Sequence, residues 1–169
     1  MVFMALHGSA GENGQLQAVF DMYGINYTGT GYIGSLLAMD KDISKKLMRE
    51  NGILTADWQY IKLNDNYDFG GIKYPCVVKP CSCGSSVGIT IVENREQLDC
   101  AVAYAKKYEE YIIIEDKIAG REFSVGILNG RALPAIEIRP LCGFYDYKNK
   151  YQKGLTKEIC PADISNDIS

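Results

Sequence analysis

CVVKPCSCGSSVGITIV, residues 76–92, reads as a strand, a glycine-rich turn and a second strand. Cys76-Val77-Val78 and Ile89-Thr90-Ile91-Val92 are short, apolar and β-branched, the composition of buried strands. Lys79-Pro80 closes the first limb, and Gly84-Ser85-Ser86-Val87-Gly88 makes a loop of little side-chain bulk. Such a loop offers an anion several backbone N–H groups and two hydroxyls, with a lysine charge at its base. It is not a Walker A loop, because the lysine precedes the glycines and no helix-forming stretch follows. A two-stranded hairpin folded over a phosphate fits the residues. An ordinary glycine-containing hairpin fits this stretch too, so the choice rests on the rest of the chain.

Downstream, Asn94–Tyr108 has helical spacing, with Leu98, Val102 and Ala105 on the buried side. Tyr111–Glu115 is an apolar strand ending in an acid. Ala119–Arg121 is a turn, and Glu122–Leu128 alternates as one strand. Asn129-Gly130 is a two-residue hairpin turn with its return strand over Ala132–Ile138. Glu115 and Glu122 flank that first turn and can face one crevice, where carboxylates accept hydrogen bonds from an exocyclic amine or a ribose diol. Solvated strand-end glutamates look the same. The stretch 143–151, GFYDYKNKY, followed by Gly154 and Thr156–Pro161, reads as a long surface loop, and loops gain little from aromatic residues unless they close on something.

Upstream, Val2–Leu6 reads as a buried strand and His7–Gly14 as a glycine-rich loop at its carboxyl end, where α/β proteins place ligand contacts. A helix is expected over Gln15–Met22, with Leu16, Val19 and Phe20 on one face. Ile25–Gly31 makes a short strand and turn, and a second helix starts at Ser35. Ile43–Asn51 repeats Ile43, Leu47 and Met48 at helical spacing. Lys41 stands among alternating charges, which is how a solvated helix face looks. Trp58–Ile61 is a strand, followed by a polar stretch over residues 62–73.

The chain has 169 residues, 47% hydrophobic and 23% charged, a globular composition without disorder bias. A net charge of -3 argues against a nucleic-acid surface, and no apolar run is long enough for a membrane helix. Met1–Leu6 is too short, and lacks the basic start, for a signal peptide. The cysteines, at 76, 81, 83, 100, 142 and 160, form no C-x-x-C pair, and the single histidine is His7. Free thiols in a reducing cytoplasm are expected, and no metal site.

Taken in order, LHGSAGENG, AMDK, VVKP, GSSVGI, IIIED, GREFSVGIL and GFYDYKNKY resemble the D-alanine–D-alanine ligases of the ATP-grasp superfamily across nearly the whole chain. The resemblance implies an α/β ATP-grasp fold with the tail of a Rossmann-like domain. It divides the chain into the end of that domain (1–29), the central ATP-grasp subdomain (30–115) and the start of the C-terminal subdomain with a closing loop (116–169). It implies ATP-dependent joining of two D-alanines through an acyl phosphate, in peptidoglycan precursor synthesis in the cytoplasm. Lys41 and Lys79 would bind ATP phosphates beneath a loop carrying Ser85 and Ser86. Glu115, Lys117 and Ile118 would meet adenine, and Glu122 the ribose. His7 would lie near a D-alanine carboxylate. Tyr145, Lys150 and Tyr151 would belong to the loop that closes the site, Lys150 facing phosphate and Tyr151 meeting Ser85. Ser85, Lys150 and Tyr151 are thus the residues expected to take part in catalysis.

The resemblance also implies a glutamate upstream that orients the first D-alanine, and downstream an arginine and the Asp/Glu/Asn set that binds magnesium. Neither part matches anything here, so a ligase fragment without activity of its own is expected. The full-length enzyme would be a homodimer. Ser9-Ala10, Asn13 and Cys81-Ser82-Cys83 depart from the family's pattern. Two other readings stay open: a non-catalytic nucleotide-binding module, and an ATP-grasp ligase with another second substrate such as D-serine, although FYDYKNKY favours D-alanine.

Overall fold

The computed structural model describes residues 1–63 and 67–165, which leaves the middle of the polar stretch and the last four residues of the tail outside the description. The chain forms two compact units, Met1–Lys117 and Ile118–Ser169. The first runs through α1 (Ser9–Glu12), α2 (Gln15–Met22), α3 (Tyr32–Met39), α4 (Lys41–Glu50), β1 (Trp58–Lys62), β2 (Cys76–Pro80), β3 (Thr90–Val92), α5 (Arg95–Ala105) and β4 (Tyr111–Asp116).

The strands make one antiparallel sheet in the order β1-β4-β2-β3. Its two faces follow from the two-residue period of a strand. Cys76, Val78, Val92, Ile112 and Ile114 point to one side, where Leu98, Ala101, Val102 and Ala105 of α5 cover them in a core closed to water. Asn94 starts α5 by accepting from the Gln97 backbone N–H at 3.2 Å. Leu98 is wholly buried at the centre of this core. We expect Leu98→Ala to lower the stability of this unit by about 2–5 kcal/mol in a urea titration followed by circular dichroism.

The opposite face carries Trp58 and Tyr60 from β1, Ile113 and Glu115 from β4, and Val77 and Lys79 from β2, paired as Trp58 with Glu115, Val77 with Glu115 and Lys79 with Ile113. Helix α4 meets this face through its charges. Asp42 and Lys45 are buried, and the Trp58 indole N–H donates to Asp42 at 2.9 Å. Ile43, Leu47 and Met48, the residues that repeat at helical spacing, remain exposed, and the charged side of α4 is the one that docks on the sheet. Leu47 and Met48 instead share an open groove with Leu37 and Ala38 of α3.

Val2–Leu6 also departs from expectation. It forms a single parallel bridge, Val2 to Tyr27, and Met1, Phe3 and Leu6 are exposed. Among the described residues it has a strand neighbour on that side alone, which half-buries Val2 and Met4 and no more. Helix α2 has the expected span, but Gln17 is its buried residue and Val19 is exposed.

The second unit contains β5 (Glu122–Ser124), β6 (Ile127–Leu128), β7 (Arg131–Ala132), β8 (Ile136–Pro140), α6 (Tyr147–Tyr151) and β9 (Thr156–Ile159). Strands β5, β8 and β9 form one sheet in that order, and β6 and β7 a separate hairpin. Asn129 (φ 49) and Gly130 (φ 74) make its turn, the positive pair that a two-residue connection requires. The single strand expected over Glu122–Leu128 is broken, because β5 pairs with β8 while β6 turns back onto β7.

Glu137 of β8 is 1% exposed and is the buried charge of this unit. Arg121 grips it with two hydrogen bonds, of 2.7 and 2.6 Å, and Arg139 adds a third at 2.7 Å. The same Arg121 donates to the Asp163 carbonyl at 2.8 Å, tying the tail to the sheet. The Arg121 bonds first, then those of Arg139, hold the Glu137 carboxyl down at about 2. A depressed carboxylate stabilises the fold above the ordinary glutamate range, near about 4.3, and the contribution is lost as pH falls towards the folded value. Glu137→Gln should therefore unfold this unit more easily at neutral pH and flatten the acid limb of its pH–stability curve between about 4 and about 2. An acid limb unchanged in the variant, read by circular dichroism, would contradict this.

Candidate functional site

The loop between β2 and β3 is held at its base from three sides. Lys41, first residue of α4, donates from Nζ to the carbonyls of Cys81 at 3.0 Å and Cys83 at 2.7 Å, and its backbone N–H also reaches Cys81 O at 3.1 Å. Glu109, beyond α5, accepts from both the N–H and the hydroxyl of Ser82, at 2.7 and 3.0 Å. The Cys81 thiol leans on Asp40 at 3.4 Å, and burial pushes that thiol up to about 11, so it stays a neutral packing group.

The tip is strained. Ser85 (φ 55) and Ser86 (φ 57) are both left-handed, and the Val87 N–H closes back on Gly84 O at 3.1 Å. Two consecutive non-glycine residues in this region are costly, of order 1–3 kcal/mol each, and such strain concentrates at ligand clamps.

Beneath the loop lies a cationic cluster. Lys79 of β2 and Lys45 of α4 both pair with Glu115 of β4, Lys79 through Oε1 and Lys45 through Oε2 at 2.9 Å. Lys45 also donates to the Thr55 hydroxyl at 2.7 Å and lies 5.1 Å from the Trp58 ring centre. Burial would raise the Glu115 carboxyl, but Lys79 and then Lys45 outweigh it and the net shift is downward. Lys41 is pulled down, first by burial and then by repulsion from the Lys79 charge. Lys41 is thus half-buried at the loop base and not on a solvated helix face.

Beside Ser85 opens a cleft of about 460 Å³, lined among others by Leu6, Glu12, Gln17, Ser35 and Gly84. Glu12 accepts from the Gly8 N–H at 2.7 Å and so fixes the segment that carries His7. Gln17 donates to Gly11 O at 2.7 Å, and its buried Oε1 has no partner among the described residues. His7 itself is exposed. Lys117 closes the first unit with an ion pair to Glu93 at 3.2 Å.

In the second unit Ile118 is exposed and Glu122 opens β5. The stretch expected as a loop contains α6, started by Asp146, which accepts from the Asn149 N–H at 2.7 Å. Asn149 in turn donates to Phe144 O and Cys142 O, at 2.7 and 3.1 Å, which shapes the entry into the helix. Lys150 Nζ lies 5.2 Å from the Tyr145 ring centre, and Tyr147 and Tyr151 pack at 4.8 Å. The Tyr145 hydroxyl is pushed up by burial and by the charges of Glu158 and Glu122.

Sequence reasoning missed Lys45, Trp58 and Glu109. Lys45 had a signal: it stands four residues after Lys41, on the same face of one helix. Trp58 and Glu109 had none, since their partners are brought to them only by the sheet.

A family model described as D-ala D-ala ligase C-terminus matches residues 47–169. The D-alanine–D-alanine ligase of Pediococcus pentosaceus is 46% identical over 169 residues, covering 99% of this chain and 48% of that protein. Among solved structures, D-alanine–D-alanine ligase from Bacillus anthracis superposes with a TM-score of 0.84 at 36% identity, over 98% of this chain and 55% of that one. A structure of the same enzyme complexed with ATP gives 0.81 at 31%, over 96% and 52%. The VanG D-Ala:D-Ser ligase from Enterococcus faecalis gives 0.80 at 33%, over 98% and 51%. The chain spans about half the length of the curated relatives it matches. The strained serine loop, the lysines beneath it and these likenesses lead to one assignment: the chain belongs to the D-alanine–D-alanine ligase family and has its ATP-grasp fold.

Proposed function

We propose that this chain works in the ATP-dependent joining of two D-alanines through an acyl phosphate, and that the β2–β3 loop with Lys41 and Lys79 receives the phosphates. The observation that carries this reading is the gathering of Lys41, Lys45 and Lys79 at the base of a loop whose tip holds Ser85 and Ser86 in left-handed conformations. Phosphoryl transfer develops charge on oxygen, and preorganised cations and N–H donors stabilise it. Lys79 supplies a movable charge, since its partner Glu115 is also held by Lys45. Lys41 supplies a fixed one, since carbonyls hold it.

Glu115, Lys117 and Ile118 take the adenine, Glu122 the ribose, and His7 a substrate carboxylate. Tyr145, Lys150 and Tyr151, on the aromatic and basic stretch of the second unit, are the residues that the family resemblance assigns to closing the site. The cleft beside Ser85 suits a small amino acid. Among the described residues no three acidic, histidine or cysteine side chains gather to hold a metal, so the magnesium expected with the nucleotide has no ligands assigned here. The reading carries with it a cytoplasmic, homodimeric enzyme of cell-wall synthesis.

Calorimetric titration with ATP, combined with D-alanine-dependent phosphate release, tests this. Saturable ATP binding is expected of the chain. Binding without phosphate release identifies a nucleotide-binding part that needs further ligands for turnover, and absence of binding rejects the reading.

A further inference from the structure

The buried charges beneath the loop are not matched one to one. Glu115, 13% exposed, is shared between Lys79, 18% exposed, and Lys45, 9% exposed. A phosphate ligand for Lys79 must draw that ammonium away from Glu115. In a site with no second cation this would strand a buried carboxylate, which opposes binding. We propose that Lys45 is a positioning residue that acts as the reserve counter-ion of Glu115, so that Lys79 can leave the carboxylate for phosphate without leaving a buried charge unpaired. The proposal rests on the nucleotide-binding reading above.

The geometry suits the task. Lys45 takes the carboxylate oxygen that Lys79 does not use, so the second pair stands ready when the first opens. Thr55 and the Trp58 ring hold the Lys45 ammonium in place. Lys45 projects from the buried face of α4 beside Asp42, whose own oxygens are taken by Lys46 at 2.6 Å and by Trp58, so Asp42 does not compete for it. The other charged groups around Glu115 are Arg49 of α4, Asp57 before β1, Lys73 before β2 and Asp116 on its own strand. Arg49 is paired with Asp57, and Lys45, not Arg49, is the second cation in contact with the Glu115 carboxylate.

The consequence is a difference in proton traffic. With Lys45 present, Glu115 stays ionised before and after phosphate binds, and binding takes up no proton there. In Lys45→Met, burial drives the abandoned carboxylate to protonate, so binding of ATP or of inorganic tripolyphosphate should weaken roughly tenfold or more at pH 7. It should also take up about one proton, read from titrations in buffers of different ionisation enthalpy. Affinity in the variant should rise as pH falls, because its bound state carries the extra proton. Lys45→Arg should restore affinity and abolish the uptake. Lys45→Met/Glu115→Gln, which has no buried carboxylate to compensate, should recover tripolyphosphate affinity without proton uptake even if the single variant folds poorly.

A Lys45→Met protein that binds tripolyphosphate as the parent does, or a weakened double variant that Gln does not rescue, overturns the proposal alone. A parent chain that binds neither ATP nor tripolyphosphate overturns the nucleotide reading itself.

Discussion

Lys79→Met should weaken ATP binding roughly 100-fold to 1,000-fold, the range expected when one partner of a desolvated, charge-assisted contact is truncated. Methionine keeps the length and apolar stem of lysine, so the change removes charge with little change in volume. The fold should survive it, because Glu115 keeps Lys45 at 2.9 Å and is not stranded. That separates Lys79 from Lys45 although both touch one carboxylate. Loss of Lys79 removes a phosphate ligand directly, and no buffer-dependent proton uptake should accompany the weakened binding. Loss of Lys45 weakens binding less and brings the proton with it. Calorimetry on both variants, with urea titrations to confirm equal folding, distinguishes them. Equal losses with equal proton uptake would mean that the two lysines act only as a diffuse positive field.

How much of this was legible beforehand follows from how local each interaction is. Helix α5 could be read because Leu98, Val102 and Ala105 sit, with Ala101, on one turn-spaced stripe against one core. The β2–β3 hairpin could be read because its apolar limbs and glycine loop are contiguous. Helix α4 could be read as a helix from the spacing of Ile43, Leu47 and Met48, but that spacing did not say which side docks: the sheet offers a face carrying Trp58, Glu115 and Lys79 that recruits Asp42 and Lys45. Periodicity says that a helix has two sides but not which one docks when both have partners. Strand β9 was missed because Thr156–Ile159 alternates over too few residues to stand out, and it becomes a strand only through pairing with β8. Lys79 was legible as a loop-base charge. Its dependence on Lys45 was not, since the residues between them fold through α4 and β1 first.

The loop itself depends on a residue that carries no functional group. Gly88 has φ +72, and a Cβ built there would lie 2.6 Å from Pro80 Cγ, 2.9 Å from Pro80 Cδ and 2.9 Å from Tyr108 Cδ2. Tyr108 is half exposed and can swing aside. Pro80 cannot: its ring is buried, its φ is fixed, and it follows Lys79 directly in β2. Gly88→Ala must therefore push on the end of β2 while also holding alanine in a left-handed conformation. The two effects together should cost about 2–5 kcal/mol of stability. The larger consequence is for binding, because the residue displaced next to Pro80 is the lysine meant for phosphate, and a charge-assisted contact weakens when its donor is moved off geometry. Gly88→Ala is thus expected to lose most ATP affinity at temperatures where circular dichroism still shows it folded. Adding Tyr108→Ala should not restore it, since that removes the contact that could already yield and leaves the contact with Pro80. Restoration by Tyr108→Ala would place the restraint on the loop in the tyrosine, and the coupling of Gly88 to Lys79 through Pro80 would then be wrong.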